Sequence, residues 1–146
     1  MQLSELTGIK PSKRKYQPSS TFYDPTGVMG IEIEGEYGDN TAFQANTDYW
    51  HQEPDGSLRN NGMEYISKPM FGEDAVDALT ELEEGLTGRG YEITPRCGLH
   101  VHLDVSGASV GELLSTLVGF ALVENAIYKY VGVERRDNIY CLPIRS

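Results

Sequence analysis

Apolar and polar residues alternate along two stretches of the chain, and each alternation predicts a strand with chemistry on one face. In CGLHVHLDV, Cys97 to Val105, the apolar Leu99, Val101, Leu103 and Val105 alternate with His100, His102 and Asp104. Successive side chains of a strand point to opposite faces. The apolar residues are therefore expected to enter a core while two imidazoles line up on the other side. In VMGIEIEGEY, Val28 to Tyr37, Ile31 and Ile33 share one face and Glu32, Glu34 and Glu36 the other. Three carboxylates in a row repel one another unless water or a cation neutralises them, and oxygen donors of this kind suit the hard cations Mg²⁺ and Mn²⁺. Gly30 and Gly35 remove bulk beside these acids, so a ligand is expected to approach closely. The plain alternative for each stretch is a solvated face of an amphipathic or edge strand.

The remaining pattern predicts a small α+β fold. Thr47 to Glu53 reads as a strand carrying the only tryptophan and His51, a histidine expected in the core or at the surface and not as a ligand. Asp55-Gly56-Ser57 is a turn, and with Met63 to Pro69 it makes a hairpin. On that second strand Met63, Tyr65 and Ser67 take one face and Glu64, Ile66 and Lys68 the other. Glu64 shares its face with an apolar residue, and a buried carboxylate needs a cation or hydrogen-bond donors. Residues 73–86 predict an amphipathic helix on Ala75, Val76, Leu79, Leu82 and Leu86, ended by Gly85 and Gly88. Tyr91 to Thr94 predicts a short strand or lead-in. Ser109 and Glu112 form a capping-box pattern that opens a broadly apolar helix to about Val131, expected to pack across the sheet. Glu124 within it is expected to be partly solvated. Residues 1–27 read as a flexible tail with a basic cluster of Lys10, Lys13, Arg14 and Lys15. The simplest assembly of residues 28–146 is an antiparallel or mixed sheet with helices on one face and the charged row on the other.

Composition narrows the function. The 146 residues suit one domain with a modest core, and a net charge of −10 argues against non-specific nucleic-acid binding. The same charge fits a site that collects cations. Cys97 and Cys141 make no CxxC pair and are expected as reduced thiols of a cytoplasmic protein. No signal peptide and no segment of membrane-span length is expected, and no membrane partner. The chain holds no GxGxxG, no Gly-rich phosphate loop, no nucleophile elbow and no HExxH.

Taken together these stretches resemble the amidoligase family of carboxylate–amine ligases, which is similar in its catalytic core to glutamine synthetase and glutamate–cysteine ligase. The matching pieces occur in the family's order: GIEIEGE with Glu32 and Glu34, DGSL with Asp55, GMEYISKP with Glu64, CGLHVHLDV with His100 and His102, and RRDNIYC with Arg136 and Asn138. The resemblance implies a glutamine synthetase-like fold and an ATP-dependent ligase. ATP would phosphorylate a carboxylate, and a small-molecule or peptide amine would attack the acyl phosphate. Glu32, Glu34 and Glu64 would ligate Mg²⁺ or Mn²⁺, with His100 or His102 as a further ligand or phosphate contact. Arg135 or Arg136 would neutralise phosphate or the substrate carboxylate, since guanidinium pairs with both in fork geometry. Asp55 would face the site from its turn. Which histidine and which arginine act stays open at this point.

Family members run longer, so residues 28–146 are expected to be the N-terminal half of the domain, completed by further sequence or by a second polypeptide. Short members of this type are similar to those of phages and mobile elements, which implies the host cytoplasm. Two other readings compete. One is an inactive binding or assembly module that keeps the fold. The other is a metal-dependent hydrolase using the His-x-His strand, which the excess of acids over nitrogen ligands disfavours.

Overall fold

A computed structural model describes residues 1–8, 28–38, 40–45, 47–132, 135–136, 138–139 and 141–144. The basic cluster at Lys10, Lys13, Arg14 and Lys15 lies outside the described residues. The elements in chain order are α1 (Leu3–Thr7), β1 (Met29–Gly35), β2 (Trp50–Pro54), β3 (Met63–Ser67), α2 (Gly72–Leu86), β4 (Leu99–Leu103) and α3 (Val110–Val131). They fall into two compact units, one from Met1–Pro11 and Val105–Ser146, the other from Ser12–Asp104.

The unit of Ser12–Asp104 is a four-stranded sheet in the order β2-β3-β1-β4. All three strand pairs are antiparallel. This is the α+β class, with the antiparallel alternative realised. β2 and β3 are the expected hairpin, and the connection begins at Asp55, whose carboxylate accepts the Ser57 N–H at 2.7 Å. Asn60 and Asn61 adopt φ of +53° and +56°, a left-handed conformation that asparagine tolerates better than most residues. The strand expected over 91–94 reduces to a single bridge between Glu36 and Glu92.

The core sits on one face of this sheet, under α2. Ile31, Trp50 and Tyr65 are buried there with Ala75, Ala78 and Leu82 of the helix. The Trp50 indole N–H donates to the Ala78 carbonyl at 2.7 Å, which satisfies the one polar atom of that side chain. Small residues at 75 and 78 let the helix approach the bulky Trp50 and Tyr65. The buried stripe therefore centres on them, and Val76 and Leu79, expected inward, stay 65% and 41% exposed. Gly35 also departs from its expected role. A Cβ there would lie 1.8 Å from the Tyr91 ring, so this glycine makes room for an aromatic side chain and not for a ligand.

β4 departs from expectation in the same way. Leu99, Val101 and Leu103 are 67%, 55% and 64% exposed and lie outside the buried cluster that α2 covers. β4 is an outer strand, and the buried residues of α2 pack on Ile31, Trp50 and Tyr65 of the other three.

In the other unit, α3 begins as its sequence dictates. The Ser109 hydroxyl accepts the Glu112 N–H at 3.2 Å, and the Glu112 carboxylate accepts the Ser109 N–H at 2.7 Å. These reciprocal bonds satisfy donors that the first turn cannot pair internally. α3 overturns the expectation that no segment reaches membrane-span length, because it is long and apolar enough by those two measures. Core helices of soluble proteins pass the same test. Glu124 is not solvated. It is 5% exposed, and its carboxylate accepts the Ile144 N–H at 2.6 Å. α1 lies within the stretch expected as tail.

Candidate functional site

Strand register builds the site. Glu32 is paired with Ile66 on β3 and with His100 on β4. Glu34 is paired with Glu64, and Gly30 with His102. Residues directly opposite in neighbouring strands point to the same face. Glu32, Glu34, Glu64, His100 and His102, from three strands, therefore gather on the face away from α2. β2 adds Glu53 opposite Glu64 and His51 opposite Ile66. The His51 ring is exposed, with Nε2 3.7 Å from Glu53.

The contacts are close. His100 Nδ1 is 3.2 Å from a Glu32 oxygen, and His102 Nε2 is 3.0 Å from the other. His100 Nε2 is 3.6 Å from Glu34 Oε1. Burial works against a charge on Glu32, but the hydrogen bond from His102 and the two imidazoles outweigh it and hold the carboxyl below its usual range. Glu64 moves the other way. Burial and then the charges of Glu32, Asp55 and Glu34 push its carboxyl up. One acid of the cluster thus favours its proton while its neighbour favours its charge, which is how crowded carboxylates share a site.

The loop before β4 completes the arrangement with groups the sequence reading did not single out. The Gly98 N–H donates to Glu34 Oε2 at 2.7 Å and orients that carboxylate. A Cβ on Gly98 would lie 2.7 Å from His100 Nε2 and 3.1 Å from Glu34 Oε2, so any other residue there intrudes on both groups. Glu36, third in the acidic row, finds its counter-charge inside the protein. It is 1% exposed and accepts Arg96 Nε at 3.0 Å. Hydrogen bonds from Arg96 and from the Arg59 N–H hold its carboxyl below the usual range. Glu36 was legible as the third acid of the row, but nothing local marked Arg96 as its partner.

Asp55 spends both carboxylate oxygens on its turn, accepting the Ser57 N–H at 2.7 Å and the Ser57 hydroxyl at 2.9 Å. Its charge still reaches Glu64. Arg135 and Arg136 belong to the unit that carries α3, where the Arg135 N–H donates to the Gly132 carbonyl at 3.1 Å.

A cleft of about 330 Å³ opens beside the His102 end of the cluster, lined by Gly30, Glu32, Ile66, Pro69, His102 and Asp104 among others. It coincides with a β-bulge. Met29 bridges to Met70 while Glu32 pairs with Ile66, so two residues of β1 face three of the other strand. The Ile31 N–H bonds the Ser67 hydroxyl at 2.9 Å in place of a ladder carbonyl. A Cβ on Gly30 would have only His102 Cβ nearby, at 3.8 Å, which leaves this part of the face open as expected.

The donor set fits a divalent cation. Glu32, His100 and His102 form one group, and Glu34, Glu64 and His100 a second, each able to bring one ligand atom per residue within 4.8 Å of the others. A neutral imidazole has one free lone pair, so His100 serves one group at a time. Carboxylate oxygens with a single imidazole match Mg²⁺ or Mn²⁺ better than Zn²⁺.

An antiparallel sheet that gathers acids and imidazoles from three strands on its open face defines an α+β protein with a candidate divalent-cation site. The chain belongs to the amidoligase family: the family model described as "Putative amidoligase enzyme" matches residues 8–146. Membership supports a function of the ligase type. No curated protein and no solved structure is significantly similar to the chain.

Proposed function

We propose that this chain is an ATP- and Mg²⁺-dependent carboxylate–amine ligase, or the N-terminal half of one, joining its substrates through an acyl phosphate. The observation that supports this reading is the convergence of Glu32, Glu34, Glu64, His100 and His102 on one sheet face. Glu34 and Glu64, with His100, would hold one cation, and Glu32 with His102 would offer a second set. A bound Mg²⁺ supplies charge neutralisation at phosphate oxygens as the phosphoryl group transfers to the carboxylate. His102 stands at the mouth of the cleft, positioned to donate to a phosphate oxygen. Arg135 and Arg136 are the guanidinium groups this reading assigns to phosphate or substrate carboxylate. The compartment that goes with it is the cytoplasm, where ATP and Mg²⁺ are supplied.

Calorimetric titration of the full chain with Mn²⁺, then with Mg-ATP, tests the reading. Binding of both is expected, and Glu34→Gln and Glu64→Gln should each weaken it. Absence of metal and nucleotide binding at millimolar Mg²⁺ rules out a working ligase for this chain.

The exposed apolar edge on β4 favours a second reading, a binding or assembly module that keeps the fold. Under it the chain associates with a partner polypeptide whether or not nucleotide binds, and a monodisperse monomer in light scattering counts against it.

A further inference from the structure

Glu36 is the most completely partnered acid of the sheet face. Its Oε1 accepts the Arg59 N–H and Arg96 Nε, both at 3.0 Å, and its Oε2 accepts Asn60 Nδ2 at 3.1 Å and Arg96 Nη2 at 3.5 Å. These donors come from two separate segments. Arg59 and Asn60 lie on the connection that leads into the strand of Glu64. Arg96 lies two residues before Gly98, whose N–H holds Glu34 Oε2 at 2.7 Å. Glu36 itself is two residues beyond Glu34. One buried carboxylate thus ties together the three pieces of backbone that carry Glu34, Glu64 and the Gly98 N–H. Glu32 and His102 receive none of the Glu36 clamp's hydrogen bonds, and their positions are set by the β1–β4 register.

We propose that Glu36 and Arg96 form a positioning clamp that presets the Glu34–Glu64–His100 group for a cation and leaves the Glu32–His100–His102 group unaffected. The inference rests on the cation-binding reading above. Neither clamp residue touches the cation. They act by fixing the bend at 94–98 against the 59–62 connection, so that Glu34 keeps one oxygen on Gly98 and presents the other to the site. Partners that orient ligating carboxylates typically change metal affinity by about 10–100-fold when removed.

The test uses Arg96→Gln in the full chain, in two backgrounds, with Mn²⁺ affinity measured by calorimetry. His102→Ala leaves the Glu34–Glu64–His100 group, and there Arg96→Gln is expected to weaken Mn²⁺ binding about 10–100-fold. Glu64→Gln leaves the other group, and there the change should stay within about twofold, small beside the effect of a lost orienting partner. Arg96→Lys keeps a positive charge and one donor and should recover part of the loss; it also serves if Arg96→Gln does not fold. Equal weakening in both backgrounds marks a general structural role, and no weakening in either removes the clamp; both outcomes overturn the proposal. A wild-type chain that takes up no Mn²⁺ sinks the cation-binding reading itself.

Discussion

Glu34 and Glu64 stand directly opposite each other in the β1–β3 pairing, two carboxylates on one side of the sheet. Like charges in that relation destabilise a strand pair. The fold accepts the cost, and Glu64 registers it: burial, and then the charges of Glu32, Asp55 and Glu34, raise its carboxyl above the ordinary range.

That shift predicts a stability change with a definite sign. The metal-free native state keeps the Glu64 proton to higher pH than the unfolded chain does. Stability contributed by this group is present below the ordinary carboxylate value of about 4.3 and falls as pH rises through the raised one. Glu64→Gln should therefore melt higher than wild type near neutral pH, with a flatter pH dependence. Thermal melts across the acid-to-neutral range check it, and a lower melting temperature at neutral pH contradicts it.

A cation that relieves the repulsion should stabilise the fold by mass action. At a hundredfold excess of Mn²⁺ over its dissociation constant the gain is about 2.7 kcal/mol. Melts with and without Mn²⁺ should separate by several degrees for wild type and by less for Glu34→Gln, which keeps only the Glu32–His100–His102 group.

The opposite sign applies at Glu36. Hydrogen bonds from Arg96 and the Arg59 N–H depress its carboxyl. Its contribution is present above the ordinary carboxylate range and is lost as pH falls through the lowered value. Glu36→Gln should melt below wild type at neutral pH, and the gap should close under acid conditions where the native carboxylate is protonated. A gap unchanged across pH would assign the effect to packing alone.

Two glycines in the same strand should answer differently to the same substitution. Gly35→Ala drives a methyl group into the Tyr91 ring, and overpacking of this kind costs about 1–3 kcal/mol. Gly30→Ala meets only His102 Cβ at 3.8 Å and should stay within about 1 kcal/mol of wild type. Chemical denaturation of the pair measures the difference.

Much of this arrangement was legible in the chain. Period-two alternation placed Glu32 and Glu34 together, set Glu64 against Tyr65, and separated His100 and His102 from Leu99 and Val101. The S-x-x-E pattern marked the start of α3. Alternation fixes faces within a strand but carries no information about strand order, so it did not reveal that β4 lies at an edge with its leucines exposed. Nor did it distinguish Gly35 from Gly30, because the neighbour that decides, Tyr91, lies far along the chain. Arg96 was passed over for the same reason. Its partner Glu36 is sixty residues away, and only the folded sheet brings them together.

The Glu34 N–H donates to the Gly98 carbonyl and the Asp104 N–H to the Val28 carbonyl. Alternation of an antiparallel ladder then turns the backbone donors and acceptors of Leu99, Val101 and Leu103 outward. The same residues present bare aliphatic side chains, with no proline or lysine among them to blunt the edge. Such a rim is a template for sheet extension by any extended polypeptide. A lysine in place of Val101 would set a charge on that rim, the device by which edge strands discourage such pairing.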